Sequence, residues 1–249
     1  MNKNAYAEMF AVEDRHWWYV GLHDLVVVLA NKLSPQEHLK ILDVGCGTGG
    51  LLSILGNAGH EVEGLDFSDD ALDYCHKRNL QNVFKADINE WEPGKNEYNL
   101  ITSFDVLSHE WVDDEVKILK SLANGLKDNG FIMLNYPAFP VLRRQHDKVV
   151  MMRKRYTKKS LTPILSKAGL EPVVFSYRVP HAFIILLLLR IYEIFGSNQQ
   201  DTKSDIATTP TKLINNSLTK IIKVENRAIA HGLSIPFGSS LFVVARKIV

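Results

Sequence analysis

The chain has 249 residues, of which 46% are hydrophobic and 23% are charged, a composition that excludes disordered, collagen-like and coiled-coil proteins. The 29 basic residues nearly balance the 28 acidic ones, so the net charge gives no reason to expect a nucleic acid as partner. Two cysteines, Cys46 and Cys75, are too few for a disulfide framework and cannot form a zinc site alone. We therefore expect a cytoplasmic protein in a reducing compartment, with no metal site.

Residues 1–36 are predicted to form an N-terminal helical segment, because apolar and aromatic side chains are mixed with charges there and Ser34-Pro35 ends the pattern. Beyond it, short apolar runs alternate with helical patterns, which is typical of βαβ units and a parallel sheet. Strands are predicted at residues 40–44, 61–65, 82–85, 99–103, 131–135, 172–177 and 240–246. Helices are predicted at residues 50–57, 69–78, 113–126, 160–168, 181–195 and 212–231.

The first predicted strand runs into a glycine cluster, in the string ILDVGCGTGG. Gly45, Gly47 and Gly50 satisfy the GxGxxG pattern of dinucleotide-binding loops, whereas Gly45, Gly47 and Gly49 equally satisfy GxGxG. Asp43 favours the second interpretation, because a carboxylate two residues before the first glycine can bind a ligand's ammonium group. The same carboxylate would be unfavourable beside a pyrophosphate.

Acidic residues also follow the second and third predicted strands. Asp66 lies about 20 residues beyond the glycine loop, where a carboxylate binds both hydroxyls of a ribose. Asp87 can accept a hydrogen bond from an adenine amino group, and Ile88 can pack on the ring. Either acid alone could equally be a helix N-cap. Three acids at the carboxyl ends of three successive strands, however, lie where open α/β sheets bind ligands.

Four strings resemble, in order and spacing, consecutive motifs of class I S-adenosylmethionine-dependent methyltransferases over residues 38–136: ILDVGCGTGG, EVEGLDFSDDAL, NVFKADI and YNLITSFDVLSHE. HWWYV and HDKVVMMRKRYTKKSL resemble segments of the ubiquinone-biosynthesis-like subgroup, and IPFGSSLFVVARK resembles the last strand of the fold. The resemblance implies a Rossmann-like, seven-stranded, mostly parallel sheet with helices on both faces and an antiparallel last strand. It places this domain at residues 37–249, with a lid segment at 137–160 and a helical insertion at 181–232.

The resemblance also implies S-adenosyl-L-methionine as cofactor and assigns three groups of residues to it. The first group surrounds the methionine part of the cofactor and consists of Asp43, Gly45, Gly47 and Gly49. The second group holds the adenosine, with Asp66 at the ribose, Phe67 and Ile88 on the two faces of the adenine, and Asp87 at its amino group. The third group lines the cofactor from the other side and includes Ser103 and Asp105.

Methyl transfer from a sulfonium is an in-line displacement, so positioning supplies most of the catalysis. A base is needed only when the acceptor is a hydroxyl or a protonated amine. The candidate bases are His109, after the fourth strand, and His146 and Asp147, beside the basic segment. The alternative role is local hydrogen bonding for His109 and a structural role for His146 and Asp147. Trp18 can cover the cationic sulfonium with its ring face or pack on the domain.

Two positions depart from the pattern of the family that the chain resembles. Ser108 stands where that family often has Glu, and Met152 stands where it often has His. These departures leave open a cofactor-binding scaffold without catalytic activity. The GxGxxG match leaves open a nicotinamide-dependent reductase.

Two segments bear on the acceptor. The basic cluster within residues 143–159 can bind a phosphate, a carboxylate or an anionic membrane surface, or it can be a solvated face. Residues 182–195 are apolar on all sides, which suits a buried helix, a homodimer interface or peripheral contact with a membrane. Together the two segments suit a lipid-linked acceptor at the inner membrane leaflet. We therefore predict methyl transfer to a small-molecule or lipid-linked acceptor, at oxygen.

Overall fold

The computed structural model describes residues 3–33, 38–195 and 209–248. Two helices precede the first strand, α1 (Lys3–Val12) and α2 (Trp17–Leu33). The strands are β1 (Lys40–Val44), β2 (Glu61–Asp66), β3 (Val83–Lys85), β4 (Tyr98–Phe104), β5 (Leu126–Pro137), β6 (Leu170–Arg178) and β7 (Ser240–Lys247). The later helices are α3 (Gly50–Asn57), α4 (Asp69–Lys77), α5 (Glu115–Gly125), α6 (Gln145–Val149), α7 (Lys158–Lys167), α8 (Pro180–Phe195) and α9 (Lys212–Ala230).

The seven strands form one sheet in the order β3-β2-β1-β4-β5-β7-β6. Neighbouring strands from β3 to β5 are parallel, and β7 runs antiparallel to both β5 and β6. The predicted fold class is confirmed. Strand β5 begins five residues earlier than predicted, because the polar residues before Gly130 form a strand irregularity in which Asn129 has a φ of 64° instead of an external turn.

Both faces of the sheet are buried, which explains the nearly continuous apolar runs of its central strands. Along β1, Leu42 and Val44 join the core on one face, whereas Ile41 joins the core on the other. Along β7, Leu241 and Val243 alternate with Phe242 in the same way. This period of two is the geometry of a strand with helices packed on both sides.

Helices α2 and α9, which are far apart in the chain, pack against each other. A Cβ atom on Gly21 would lie 2.5 Å from Cδ1 of Ile222, so the two helices approach closely at this point. Nδ2 of Asn226 also donates a hydrogen bond to the carbonyl oxygen of Gly21 at 2.7 Å. The α2–α9 pair covers one face of the sheet.

The strand order reverses at β1, because β2 lies on one side of it and β4 on the other. The loops that follow β1 and β4 therefore diverge and leave a crevice at their carboxyl ends, where open α/β sheets bind ligands. Within the described residues, no helix is both long and apolar enough to cross a membrane.

Candidate cofactor and acceptor site

A cavity of about 1240 Å³ opens at this crevice, between the sheet and helices α1, α2, α6 and α8. Most of the predicted site residues line it: Asp43, Gly45, Gly47, Asp66, Phe67, Asp87, Ile88, Asp105, His109 and Trp18. Gly49 instead lies behind the glycine loop, where a Cβ atom would be 2.6 Å from Cδ1 of Leu80. Ser103 is buried in β4, and its Oγ has no hydrogen-bond partner among the described residues. The side chain of His146 lies outside the described part of the structure.

The glycine loop is shaped by its contacts with β2 and with the segment after β4. The N–H groups of Gly45 and Cys46 donate to the carbonyl oxygen of Leu65 at 2.8 and 3.0 Å. Gly45 has a φ of 78°, and a Cβ atom there would lie 2.3 Å from Cγ2 of Val106. Only glycine allows this combination of left-handed backbone and close approach.

Asp43 is buried at the end of β1 and is 5% exposed. Its Oδ1 accepts a hydrogen bond from Oγ1 of Thr102 on β4 at 2.6 Å. Burial raises the pKa of Asp43 to about 7, against the opposing effect of the Thr102 hydrogen bond. A cation placed beside this carboxyl group would therefore favour its ionised form.

Asp66 already accepts hydrogen bonds on both carboxylate oxygens. Its Oδ1 accepts from the Tyr6 hydroxyl at 3.2 Å and from the Ser68 N–H at 3.0 Å, and its Oδ2 accepts from the Gly47 N–H at 3.0 Å. Tyr6 belongs to α1, so this helix lies directly over the end of β2. A ligand that needs both oxygens of Asp66 must compete with the Tyr6 hydroxyl.

The adenine end of the predicted site combines an exposed ring with a buried side chain. Phe67 is 63% exposed and Ile88 is 5% exposed, and both line the cavity. Oδ1 of Asp87 accepts from the N–H and from Nδ2 of Asn89, both at 2.9 Å. Asp87 thus stabilises the turn after β3 at the same time as it faces the cavity.

His109 lies after β4 in contact with the segment that follows α6. Its Nδ1 lies 3.2 Å from the carbonyl oxygen of Met151. Since a carbonyl oxygen only accepts, Nδ1 carries the proton, which leaves Nε2 as the basic nitrogen of the neutral ring. Burial lowers the pKa of His109, which favours the neutral ring at pH 7. The imidazole stacks on Trp111, with ring centroids 5.4 Å apart.

The two positions that depart from the family pattern come together beside His109. His109 and Met152 form an isolated antiparallel β-bridge. The Arg153 N–H donates to the carbonyl oxygen of Ser108 at 2.8 Å. The predicted lid segment is therefore tied through its backbone to the loop after β4.

Ion pairs within the protein use much of the basic cluster. Arg155 forms a two-pronged pair with Asp147, with Nε–Oδ2 and Nη2–Oδ1 distances of 2.6 and 2.8 Å. Lys154 and Arg153 lie 2.9 and 3.8 Å from Oε2 of Glu115. The cluster is consequently not one continuous solvated face, because Arg153 and Lys154 tie the segment to Glu115 of α5 and Arg155 is paired with Asp147 within the segment.

Asp105 follows β4 with a φ of 59° and is half-buried. Nδ2 of Asn135 donates to both of its carboxylate oxygens at 3.0 Å. Burial raises the pKa of Asp105 to about 6, although Asn135 and the guanidinium groups of Arg178 and Arg155 oppose this shift. A second carboxyl group that titrates near neutrality thus lines the cavity opposite the glycine loop.

Sequence reasoning missed several residues of the N-terminal segment that line the cavity, among them Tyr6, Glu13 and His23. Burial lowers the pKa of His23 to about 4, so its imidazole is neutral in the cavity wall. The N-terminal helical pattern carries no spacing signal that shows which side chains reach the site. Their positions depend on how α1 and α2 pack across the glycine loop.

Comparison with known proteins gives a family for this chain. The family model described as methyltransferase domain matches residues 15–174. The ubiquinone biosynthesis O-methyltransferase of Burkholderia vietnamiensis is 28% identical over 135 residues, which cover 48% of this chain and 56% of that protein. The ubiquinone biosynthesis O-methyltransferase of Hydrogenovibrio crunogenus is 27% identical over 133 residues, which cover 48% of this chain and 54% of that protein. The chain thus spans about half the length of the curated relatives it matches.

Solved structures show the same fold at low identity. An S-adenosylmethionine-dependent methyltransferase from Mesorhizobium loti has a TM-score of 0.60 at 15% identity and covers 90% of this chain and 98% of its own. Phosphoethanolamine N-methyltransferase 2 of Haemonchus contortus, solved with S-adenosyl-L-methionine, has a TM-score of 0.53 at 19% identity and covers 89% of this chain and 51% of its own. From the family match and this fold, the chain belongs to the methyltransferase domain family, among the class I S-adenosylmethionine-dependent methyltransferases.

Proposed function

We propose that the protein transfers the methyl group of S-adenosylmethionine to a hydroxyl oxygen of an apolar, lipid-linked acceptor. The observation that carries this proposal is the continuity of one cavity from the glycine loop to α8. Ala182, Ile185 and Leu186 of that helix line the same cavity as Asp43 and His109. The matched relatives, named as ubiquinone biosynthesis O-methyltransferases, support oxygen as the acceptor atom.

The residues around the glycine loop fit S-adenosylmethionine by their chemistry. The Asp66 carboxylate can accept hydrogen bonds from ribose hydroxyls when the Tyr6 hydroxyl no longer donates to it. Phe67 and Ile88 offer apolar surface for the adenine, and Asp87 offers an acceptor for its amino group. Bound there, the cofactor supplies an electrophilic methyl group on a sulfur that leaves as a neutral sulfide.

The part of the cavity lined by Asp43 and Asp105 suits the positive charges of the cofactor, because it carries two carboxyl groups. Asp43 and Asp105 both titrate near neutrality, so a neighbouring ammonium or sulfonium group would draw both into the carboxylate form. The Trp18 ring offers a π face to a cation. Gly49 and Ser103 would act from behind the cavity wall, by shaping the loop and the end of β4.

His109 is the general base of the proposed reaction. Nε2 of His109 would take the proton of the acceptor hydroxyl, while the acceptor oxygen received the methyl group that the bound cofactor would supply. Met151 holds the ring in the required tautomer through the Nδ1 hydrogen bond, and Trp111 fixes its plane. His146 is the second candidate base.

Helix α8 presents apolar side chains to solvent beside the cavity. Ile184, Ile185 and Leu188 are 54%, 56% and 61% exposed. An exposed apolar face of this kind at the mouth of a cavity marks a binding surface for an apolar partner. We assign it to the lipid tail of the acceptor, with the hydroxyl-bearing head group directed toward His109.

The proposal is tested with two catechol acceptors, one bearing a long alkyl tail and one without it, and radiolabelled S-adenosylmethionine. The tailed acceptor should have a KM about tenfold or more lower, since each buried methylene contributes about 0.8 kcal/mol. Ile185→Ser should weaken only the tailed acceptor. Ile214→Ser is the matched control, because Ile214 on α9 is similarly exposed at 52% and does not line the cavity. Equal KM values for the two acceptors would refute the assignment of α8.

A further inference from the structure

Glu13, just after α1, has its carboxylate buried against the start of α3. The residue is 4% exposed. Its carboxylate accepts a short hydrogen bond from Oγ1 of Thr48 and another from the Gly50 N–H, and its Oε2 lies 3.1 Å from Nη2 of Arg78. Three donors therefore converge on a single acid supplied by the N-terminal segment.

This carboxylate occupies the anion position of the glycine loop. Helix α3 begins at Gly50, and its N-cap, Gly49, supplies no side-chain cap. A Cβ atom on Gly50 would lie 2.3 Å from Cδ of Glu13, so the acid sits directly on the first residue of the helix. In loops of the GxGxxG type, the pyrophosphate of a dinucleotide binds at this helix end.

Arg78 is the cation that pairs with Glu13, and internal contacts hold its guanidinium group. Its Nη1 lies 2.9 Å from Oδ1 of Asp14, and its Nε donates to the carbonyl oxygen of Thr48 at 2.9 Å. The guanidinium group also lies over the Phe10 ring, 4.8 Å from the centroid. These contacts and the ion pair with Glu13 neutralise the positive charge of Arg78, which is therefore not available to bind a diphosphate.

We propose that Glu13 is a specificity-determining residue whose carboxylate takes the place of a phosphate and excludes diphosphate-containing nucleotides from the glycine loop. The pattern Gly45, Gly47 and Gly50 then satisfies the dinucleotide motif without binding a dinucleotide. A diphosphate in the loop would also meet the like charges of Asp66 and ionised Asp43, whereas a cationic cofactor would meet opposite ones. This inference rests on S-adenosylmethionine as cofactor and adds the reason for its selection.

The test compares S-adenosylhomocysteine with ADP, because both carry adenosine and only ADP carries a diphosphate. Isothermal titration of the full chain gives the ratio of their dissociation constants for the wild type, Glu13→Ala, Glu13→Gln and Glu8→Gln. Glu8 is the matched control, since it is a second α1-side acid in the cavity wall and is exposed. Circular dichroism checks that each variant is folded.

Wild type and Glu8→Gln should prefer S-adenosylhomocysteine by about 100-fold or more, and Glu13→Ala should reduce this preference by about tenfold or more. Glu13→Gln should reduce it less, because glutamine keeps the volume and one acceptor oxygen. The proposal is overturned if both folded Glu13 variants keep the wild-type preference within about twofold, or if Glu8→Gln lowers it as much as they do. If wild type binds neither ligand, the cofactor assignment itself fails, which is a distinguishable result.

Discussion

Lowering the pH from 8 to 6 should weaken binding of S-adenosylmethionine about tenfold, through protonation of Asp43. With a pKa of about 7, Asp43 is about nine-tenths ionised at pH 8 and about one-tenth ionised at pH 6. If only the carboxylate form binds the ammonium group of the cofactor, the dissociation constant rises by the same factor. Asp105, with a pKa of about 6, adds a factor of about two at the lower pH.

Isothermal titration at pH 6, 7 and 8, in two buffers with different ionisation enthalpies, measures both the affinity and the protons released. Near pH 7 we expect release of about half a proton, because the cation lowers the pKa of Asp43 on binding. Asp43→Asn is the matched variant, since the Thr102 hydroxyl can still donate to the amide oxygen. It should bind more weakly at pH 8 and lose most of the pH dependence.

Two results would refute this reasoning. One is an affinity of the wild type that is equal at pH 6 and pH 8. The other is an Asp43→Asn variant that keeps the full tenfold change, because another group would then be the one that titrates.

Three further predictions concern stability, catalysis and the α1 contact. Asp43→Asn should raise the free energy of unfolding at pH 8 by up to about 4 kcal/mol, and should not raise it at pH 4. Because the pKa of Asp43 is raised in the native state, the native state binds the extra proton and wild-type stability falls as pH rises from about 4 to 7. Thermal unfolding at both pH values measures this, and a gain of the same size at pH 4 would contradict it. His109→Gln should lower kcat by about 100-fold or more while S-adenosylhomocysteine affinity, measured by titration, changes little; an unchanged kcat would exclude His109 as the base. Tyr6→Phe should tighten cofactor binding up to about tenfold, because the hydroxyl no longer competes for Asp66; weaker binding on titration would mean that Tyr6 contacts the ligand.

Local pattern was sufficient for the strands, for most of the helices and for one wall of the site. A strand buried on both faces requires a continuous apolar run, and such runs predicted the central strands of the sheet, whereas shorter apolar stretches between helical patterns predicted the others. The acids Asp43, Asp66 and Asp87 follow successive parallel strands, so their convergence at one edge follows from topology. The start of β5 was missed because a strand irregularity uses the same polar residues as a turn.

The opposite wall of the site depended on contacts between residues far apart in the chain. Glu13 reaches Gly50, and Tyr6 reaches Asp66 across 60 positions. The basic cluster looked like a surface feature in the sequence, yet Arg155 pairs with a buried acid.

The sequence by itself determined the sheet, the glycine loop and the acids at the strand ends, because strand periodicity and strand-end position are local properties. Only the tertiary structure decided which N-terminal side chains close the cavity, which charges are paired and which face of α8 is exposed. Helix patterns show how apolar an element is, but the partner that covers each face depends on packing between distant segments. For this reason, the cofactor could be predicted from motifs, whereas the contact of Glu13 with the first residue of α3 became visible only in three dimensions.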